Sequence, residues 1–359
     1  MNDIEKRDEH GGNILATAKN LGCKVSDLVD MSSNLTPFNA PAGLREALTD
    51  ALPEIAYLPE TGSESLRYLF AKKFGLHKEQ VLVGNGTTEF IHGVPATVGV
   101  ENSVIINPTY SDYLLASKWA GLAPRFMNLR LENDFQLDLG KLAALLKGGE
   151  LVFICNPNNP TGTLTPSTDI HNFICQHRNS FFLVDESYLP FTRKKSLLEF
   201  PLPENLFVLR SFSKIYGIPG LRLGFLISTE QNMTVITSKQ KPWGVNRLAQ
   251  VAGEYLIRSA DDYVERVRNF LEKNRPAFAA ALKKLPGVRV IPGDANFILC
   301  YLTGMVDAYE LRRQLLTFGI MARNCANFMG LSDRYFRLSL KNEKDNRRCI
   351  EALGKILAK

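Results

Sequence analysis

Short apolar runs recur along the first two thirds of the chain, at Gln80–Val83, Val104–Ile106, Leu151–Cys155, Phe181–Val184, Leu206–Leu209 and Leu223–Ile227. Segments of helical period fill several of the gaps, among them ESLRYLFAKKF over 64–74, SDYLLASKWAG and STDIHNFICQHRN. Runs this short, alternating with amphipathic segments, predict an α/β sheet that is mostly parallel and covered by helices on both faces. That sheet is expected over residues 45–245. The pattern then changes. Asp261–Leu285 predicts a long amphipathic helix, followed by strands at Val288–Ile291 and Asn296–Leu302 and a helix over Asp307–Phe318. Ile320–Arg323 and Tyr335–Leu340 predict two more strands, and Asn342–Leu357 a terminal helix. This is an α+β order, so a second, smaller domain is expected over 246–359, with residues 1–44 packing against it.

Composition narrows the class without choosing a function. The 359 residues are 45% hydrophobic and 22% charged, as in an ordinary globular protein long enough for two domains. The net charge of +6 comes from 43 Lys and Arg scattered among 37 Asp and Glu, which predicts a mixed solvated surface rather than a nucleic-acid groove. The six cysteines are widely spaced, so neither zinc ligation nor a disulfide framework is expected. The start, MNDIEKRDEHGGN, lacks the apolar stretch of a secretory signal, and no apolar run is long enough to span a bilayer. A cytoplasmic protein with reduced thiols, no metal and no membrane partner is the expectation.

Four polar clusters fall at the C-terminal ends of predicted strands, where ligands of open α/β sheets bind. Gly84-Asn85-Gly86-Thr87-Thr88 places glycines ahead of a helix start, leaving backbone N–H groups free for a phosphate or for an ordinary helix cap. Asn156-Pro157-Asn158-Asn159-Pro160-Thr161-Gly162 is a proline-stiffened loop that fixes the Asn159 amide. Asp185-Glu186-Ser187-Tyr188 ends a buried strand with a carboxylate, which must be hydrogen-bonded there to stay ionised. In LRSFSKIYGIPGLRLGF, Ser211, Ser213 and Lys214 follow one strand and Arg222 enters the next. A lysine buried at a strand end tends to a depressed pKa and so to nucleophilicity towards a carbonyl. Together the clusters hold an amine for a Schiff base, a carboxylate for a pyridinium nitrogen and an amide with a phenol for a phenolate oxygen. Hydroxyls, an arginine and a helix start remain for a phosphate. These are the requirements of pyridoxal phosphate.

The motifs NPNNPTG, DESY and SFSKIYGIPGLRLG, with GNGTTE and PTYSDY in the same order, resemble the fold-type I pyridoxal-phosphate enzymes of the aspartate and histidinol-phosphate aminotransferase superfamily. The likeness runs over essentially the whole chain. A closer resemblance is to the threonine-phosphate decarboxylases of cobalamin biosynthesis. It rests on His10-Gly11-Gly12-Asn13, DMSSNLTP, QKPWGVNRLAQVAGE, IPGDANFIL and RNCANFMGLSDRYFRLSL. Two departures stand out: those relatives carry SANINP where this chain has SSNLTP, and can carry Phe at the position of Tyr188.

The resemblance implies a large domain with a mostly parallel sheet, a smaller α+β domain, a homodimer and a pyridoxal phosphate cofactor. It implies catalytic roles for Lys214 as the Schiff-base lysine, Asp185 as the partner of the ring nitrogen and Tyr110 stacked on the ring. Asn159 and Tyr188 would contact the ring oxygen. Gly86, Thr87, Ser211, Ser213 and Arg222 would hold the cofactor phosphate, with Tyr57 reaching in from the other subunit. For the substrate it implies Arg337 at the carboxylate, Arg323 and His10 at a phosphate, and Gly11, Asn34 and Asn159 along the same pocket. The reaction implied is decarboxylation of L-threonine O-3-phosphate to (R)-1-amino-2-propanol O-2-phosphate, with phosphoserine as a variant substrate. A histidinol-phosphate-type aminotransferase is the alternative. A cofactor-binding regulatory module without catalysis is a remote one, because the nine residues before His10 are too few for a helix-turn-helix.

Overall fold

The computed structural model describes residues 11–358. After a short strand β1 (Val29–Asp30), seven strands build the main sheet: β2 (Val81–Asn85), β3 (Asn102–Asn107), β4 (Ala123–Asn128), β5 (Glu150–Cys155), β6 (Phe181–Asp185), β7 (Leu206–Ser211) and β8 (Leu223–Ile227). Their order is β2-β8-β7-β6-β5-β3-β4. Strand β8 runs antiparallel to both neighbours, and the other pairings are parallel. Strands β5 and β7 are buried at every position, as strands covered on both faces must be. The mostly parallel α/β sheet expected from the apolar runs is therefore present.

Direction explains the placement of chemistry. Six strands point one way, so Asn85, Cys155, Asp185 and Ser211 all end at one edge of the sheet. Because β8 runs the other way, its beginning lies at that same edge, with Leu223 opposite Asn85 and Gly224 opposite Ser211. Arg222 precedes β8 rather than entering it, as the sequence pattern had suggested, and takes a left-handed conformation (φ +59°) at the turn. Gly224 is needed beside it: a Cβ there would meet the Thr87 amide nitrogen at 2.5 Å.

The remaining strands are β9 (Val288–Val290), β10 (Phe297–Leu302), β11 (Ile320–Met321), β12 (Arg323–Asn324) and β13 (Tyr335–Ser339). Four of them form an antiparallel sheet in the order β12-β13-β10-β9, while β1 and β11 pair in parallel. The strand expected at Ile320–Arg323 is thus divided at Ala322, one half pairing with the N-terminal segment and the other with β13. Several elements escape the apolar pattern, two of them in or against the main sheet. Edge strand β4 reads APRFMN and is mostly exposed, so no apolar run marks it. The helix Arg247–Ser259, which no reading of the apolar pattern above named, buries Ala249, Ala252, Gly253, Leu256 and Ile257. A Cβ on Gly253 would come within 2.9 Å of Leu66 and Leu223, so the glycine lets this helix lie directly on helix Glu64–Phe74 and β8. The helix Asp261–Lys283 follows and stops two residues short of the expected Leu285. No helix among the described residues is long and apolar enough to cross a membrane.

Candidate active site

A cavity of about 360 Å³ opens over the C-terminal edge of the main sheet and is closed on the far side by the N-terminal segment and β12–β13. This size falls in the range of small-molecule sites. Lys214 sits on a single helical turn, Phe212–Ile215, directly after β7. Its carbonyl accepts the Thr36 N–H at 3.0 Å, which ties the lysine turn to the N-terminal segment. Burial pulls the Lys214 amine down to about 8, helped by the positive charges of Arg337 and Arg222 and opposed by Asp185 and Asp30. An amine so placed is half free base at about pH 8, far below the pH at which an ordinary lysine reaches that point.

Asp185 is the last residue of β6 and is buried. Its Oδ1 accepts the Ser187 N–H at 2.9 Å and its Oδ2 accepts the Tyr113 hydroxyl at 2.8 Å. Burial raises its pKa, while Ser187, Tyr113 and the nearby Lys214 work the other way. The next residue, Glu186, turns to the opposite side and is fully buried against Arg210 at 3.0 Å, with Ser196 and the Leu197 N–H as further donors. This anchored pair holds the strand end from behind.

Asn159 is held by its loop, not by its own side chain. Asn158 receives the Thr109 hydroxyl and donates to the Pro108 carbonyl and Thr161, while Asn156 spans the loop to both backbone groups of Thr165. The Asn159 Oδ1 is then free to accept from Arg337 Nη1. The Tyr188 hydroxyl accepts from Asn34 Nδ2 at 3.1 Å, and burial raises its pKa. Tyr110 lines the cavity edge-on to Tyr113, with ring centroids 5.7 Å apart. Burial raises its hydroxyl pKa as well, with Asp112 adding to the effect.

At the sheet edge, Thr87, Ser211, Ser213 and Arg222 line one end of the cavity. Gly86 stands behind them with φ +74°, and a Cβ on it would lie 2.5 Å from Arg222 Nη2. The cradle thus requires glycine twice over, for conformation and for room. At the other end, Arg323 and Arg337 are buried side by side and are register partners on β12 and β13. Arg337 donates to Asn159 Oδ1 and, at 2.8 Å, to the Ser32 carbonyl; its Nε has no hydrogen-bond partner among the described residues. Arg323 lies over the Phe328 ring and donates to Asn327 at 2.7 Å. Gly11 has φ +66°, and a Cβ on it would approach Arg323 Cδ to 2.9 Å.

Of the residues singled out from sequence, Lys214, Asp185, Tyr110, Asn159, Tyr188, Thr87, Ser211, Ser213, Arg222, Gly11, Asn34, Arg323 and Arg337 all line this one cavity. Gly86 supports it from behind. Tyr57 does not reach it within its own chain: it is 73% exposed and borders a separate open groove with Glu54 and Arg247. His10 lies outside the described residues. Sequence reading missed Tyr113, Ser32, Asn327 and Phe328. Tyr113 lies in the first turn of helix Asp112–Trp119, and its N–H reaches the Tyr110 carbonyl at 3.3 Å across the preceding turn.

The donor set fits pyridoxal phosphate. An amine of lowered pKa, a buried carboxylate held by two donors, a phenol and amide between them, and a hydroxyl–arginine cradle match an aldehyde, a ring nitrogen, a ring oxygen and a phosphate. The profile of the family "Aminotransferase class I and II" matches residues 26–353. The chain is 34% identical to the threonine-phosphate decarboxylase of Salmonella typhimurium, over 97% of this chain and 96% of that one. It is 32% identical to the histidinol-phosphate aminotransferase of Methanothermobacter thermautotrophicus, over 99% and 96%. It also matches the adenosylcobalamin biosynthesis bifunctional protein CobDQ of Leptospira interrogans at 30% identity, spanning 41% of that longer protein. Among solved structures, the L-threonine-O-3-phosphate decarboxylase of Porphyromonas gingivalis superposes with a TM-score of 0.84 at 27% identity, covering 92% of this chain and 99% of that one. The chain belongs to the aminotransferase class I and II family, as a pyridoxal-phosphate-dependent enzyme of fold type I.

Proposed function

We propose that this enzyme decarboxylates L-threonine O-3-phosphate, giving (R)-1-amino-2-propanol O-2-phosphate. The observation that carries the reading is the pair of buried arginines at one end of the cavity. Arg337 meets only neutral oxygens and its Nε has no hydrogen-bond partner among the described residues, so this end of the cavity suits an anionic ligand. A substrate with both a carboxylate and a phosphate supplies two such groups. The threonine-phosphate decarboxylases among the relatives support the same substrate class.

Bound pyridoxal phosphate supplies an electron sink for whichever bond at the substrate Cα lies perpendicular to its ring. The choice of bond therefore belongs to the residues that orient the substrate. In this reading Arg323 holds the phosphate, with Gly11 giving its stem room and Asn327 steadying its guanidinium. Arg337 holds the carboxylate, forked between Asn159 and Ser32 so that its plane is fixed. Two anchors on one small molecule fix its rotation, and the carboxylate is the group turned out of plane. Asp185 keeps a negative charge against the ring nitrogen. Lys214, as free base, exchanges with the substrate amine, and its ammonium form carries the proton that replaces CO₂ at Cα. Tyr57 is assigned to the partner subunit's site, and His10 to the phosphate with Arg323.

The phosphate anchor is tested by comparing CO₂ release from phosphothreonine and from threonine under identical conditions. The reading predicts at least about a hundredfold lower kcat/KM without the phosphate, the worth of a charge-assisted bidentate contact. Equal values would remove Arg323 from the scheme. A histidinol-phosphate aminotransferase is the second reading, favoured by the relative at 32% identity and by Tyr188. It would use the same phosphate anchor but yield glutamate from 2-oxoglutarate.

A further inference from the structure

Tyr113 carries a hydroxyl in the cavity wall that none of the roles above employs. It is 1% exposed, and its ring is packed between Phe153, nearly parallel at 5.3 Å, and Tyr110, edge-on at 5.7 Å. Its hydroxyl donates to Asp185 Oδ2 at 2.8 Å, while the Ser187 N–H occupies Oδ1 at 2.9 Å. A fully buried phenol with no other purpose would normally be replaced by a phenyl ring, since a buried hydroxyl must find a partner to avoid a desolvation cost. Here the partner is the carboxylate that faces the ring nitrogen, and the same aromatic body supports the tyrosine at the ring edge.

We infer that Tyr113 is a positioning residue for the cofactor, acting through Asp185 to keep that carboxylate ionised and aimed at the ring nitrogen, and through Tyr110 to set the stacking edge. The inference does not depend on which bond at Cα is broken. Burial alone drives Asp185 towards its neutral form. Its surroundings are Tyr113 and Tyr110 from helix Asp112–Trp119 and the turn before it, Cys155 from β5, Tyr188 from the loop after β6, and Lys214. The cation and the donors favour the charged carboxylate; Ser187 is one of these donors, and Tyr113 is the one that reaches Oδ2, at 2.8 Å. Removing that donor raises the Asp185 pKa further and frees the carboxylate to rotate.

The test is the affinity of the Tyr113→Phe protein, prepared without cofactor, for two probes. One is pyridoxal phosphate and the other its deaza analogue, in which C–H replaces the ring nitrogen. The inference predicts about a tenfold loss for pyridoxal phosphate, the worth of a hydrogen bond to a charged group partly passed on. It predicts no change for the deaza analogue, and a fall of pyridoxal phosphate affinity on acidification that begins at higher pH than in the unmodified protein. Equal losses with both probes would reduce Tyr113 to packing, and no loss with either would overturn the inference. Tyr113→Phe in an Asp185→Asn background contains no unpaired buried charge, which protects folding. There the tyrosine change must leave affinity where Asp185→Asn alone puts it; a further tenfold loss contradicts the link.

Discussion

Arg323 and Arg337 face one another across the β12–β13 ladder, both buried, and Arg337 meets only neutral oxygens among its hydrogen-bond partners. In the proposed reading the pair selects a doubly anionic substrate.

Arg337→Lys is predicted to lower kcat/KM for the phosphorylated substrate about a hundredfold, because a lysine cannot reproduce the fork between Asn159 and Ser32. Cofactor affinity should stay within about threefold of normal, within the scatter expected of a change that removes no cofactor contact. Steady-state kinetics beside an absorbance titration of the cofactor would separate the two effects.

Gly11→Ala places a Cβ against the Arg323 stem at a positive φ. The expected result is a raised KM for the phosphorylated substrate, about tenfold, from displacement of one charged contact. Activity on an unphosphorylated amino acid, however small, should not fall with it.

Gly86→Ala acts at the opposite end of the cavity. The new methyl group would push on Arg222 Nη2 and sit at a positive φ with extended ψ, a region nearly confined to glycine, costing about 1–3 kcal/mol in stability. Weakened binding of pyridoxal phosphate should accompany it, and equilibrium dialysis of the protein without cofactor measures this. Normal binding would mean that Arg222 does not serve the phosphate.

Lys214 carries the pH dependence. Its amine titrates at about 8 in the folded protein against an ordinary 10.5, so the folded chain binds fewer protons than the unfolded one between those values. Stability of the cofactor-free protein relative to Lys214→Met should therefore be flat below pH 8 and rise with pH up to about 10.5. Urea titrations at several pH values check the sign. Covalent attachment of pyridoxal phosphate, read by mass after borohydride reduction, should quicken through the same pH 8 step and be absent in the variant.

Sequence alone carried far at the sheet edge, because polar residues that end apolar runs in a parallel sheet share one rim by topology. Lys214, Asp185 and Asn159 were legible for that reason. Arg222 was legible as a residue, but its position depends on β8 running backwards, which no periodicity reports. The Arg323–Arg337 pairing was hidden because Ile320–Arg323 reads as one strand, whereas the break at Ala322 sends its two halves to different sheets. Tyr113 was hidden because an aromatic residue on an amphipathic helix reads as core, and only the 2.8 Å contact with Asp185 gives it another part.

The central claim is that the two arginines turn the carboxylate, not the Cα hydrogen, into the cleavable position. Phosphothreonine labelled in its carboxyl carbon, incubated with the cofactor-loaded enzyme and 2-oxoglutarate, tests it in one vessel. The account predicts labelled CO₂ in step with aminopropanol phosphate and no glutamate. Glutamate formed with the label retained in an oxo acid would contradict it.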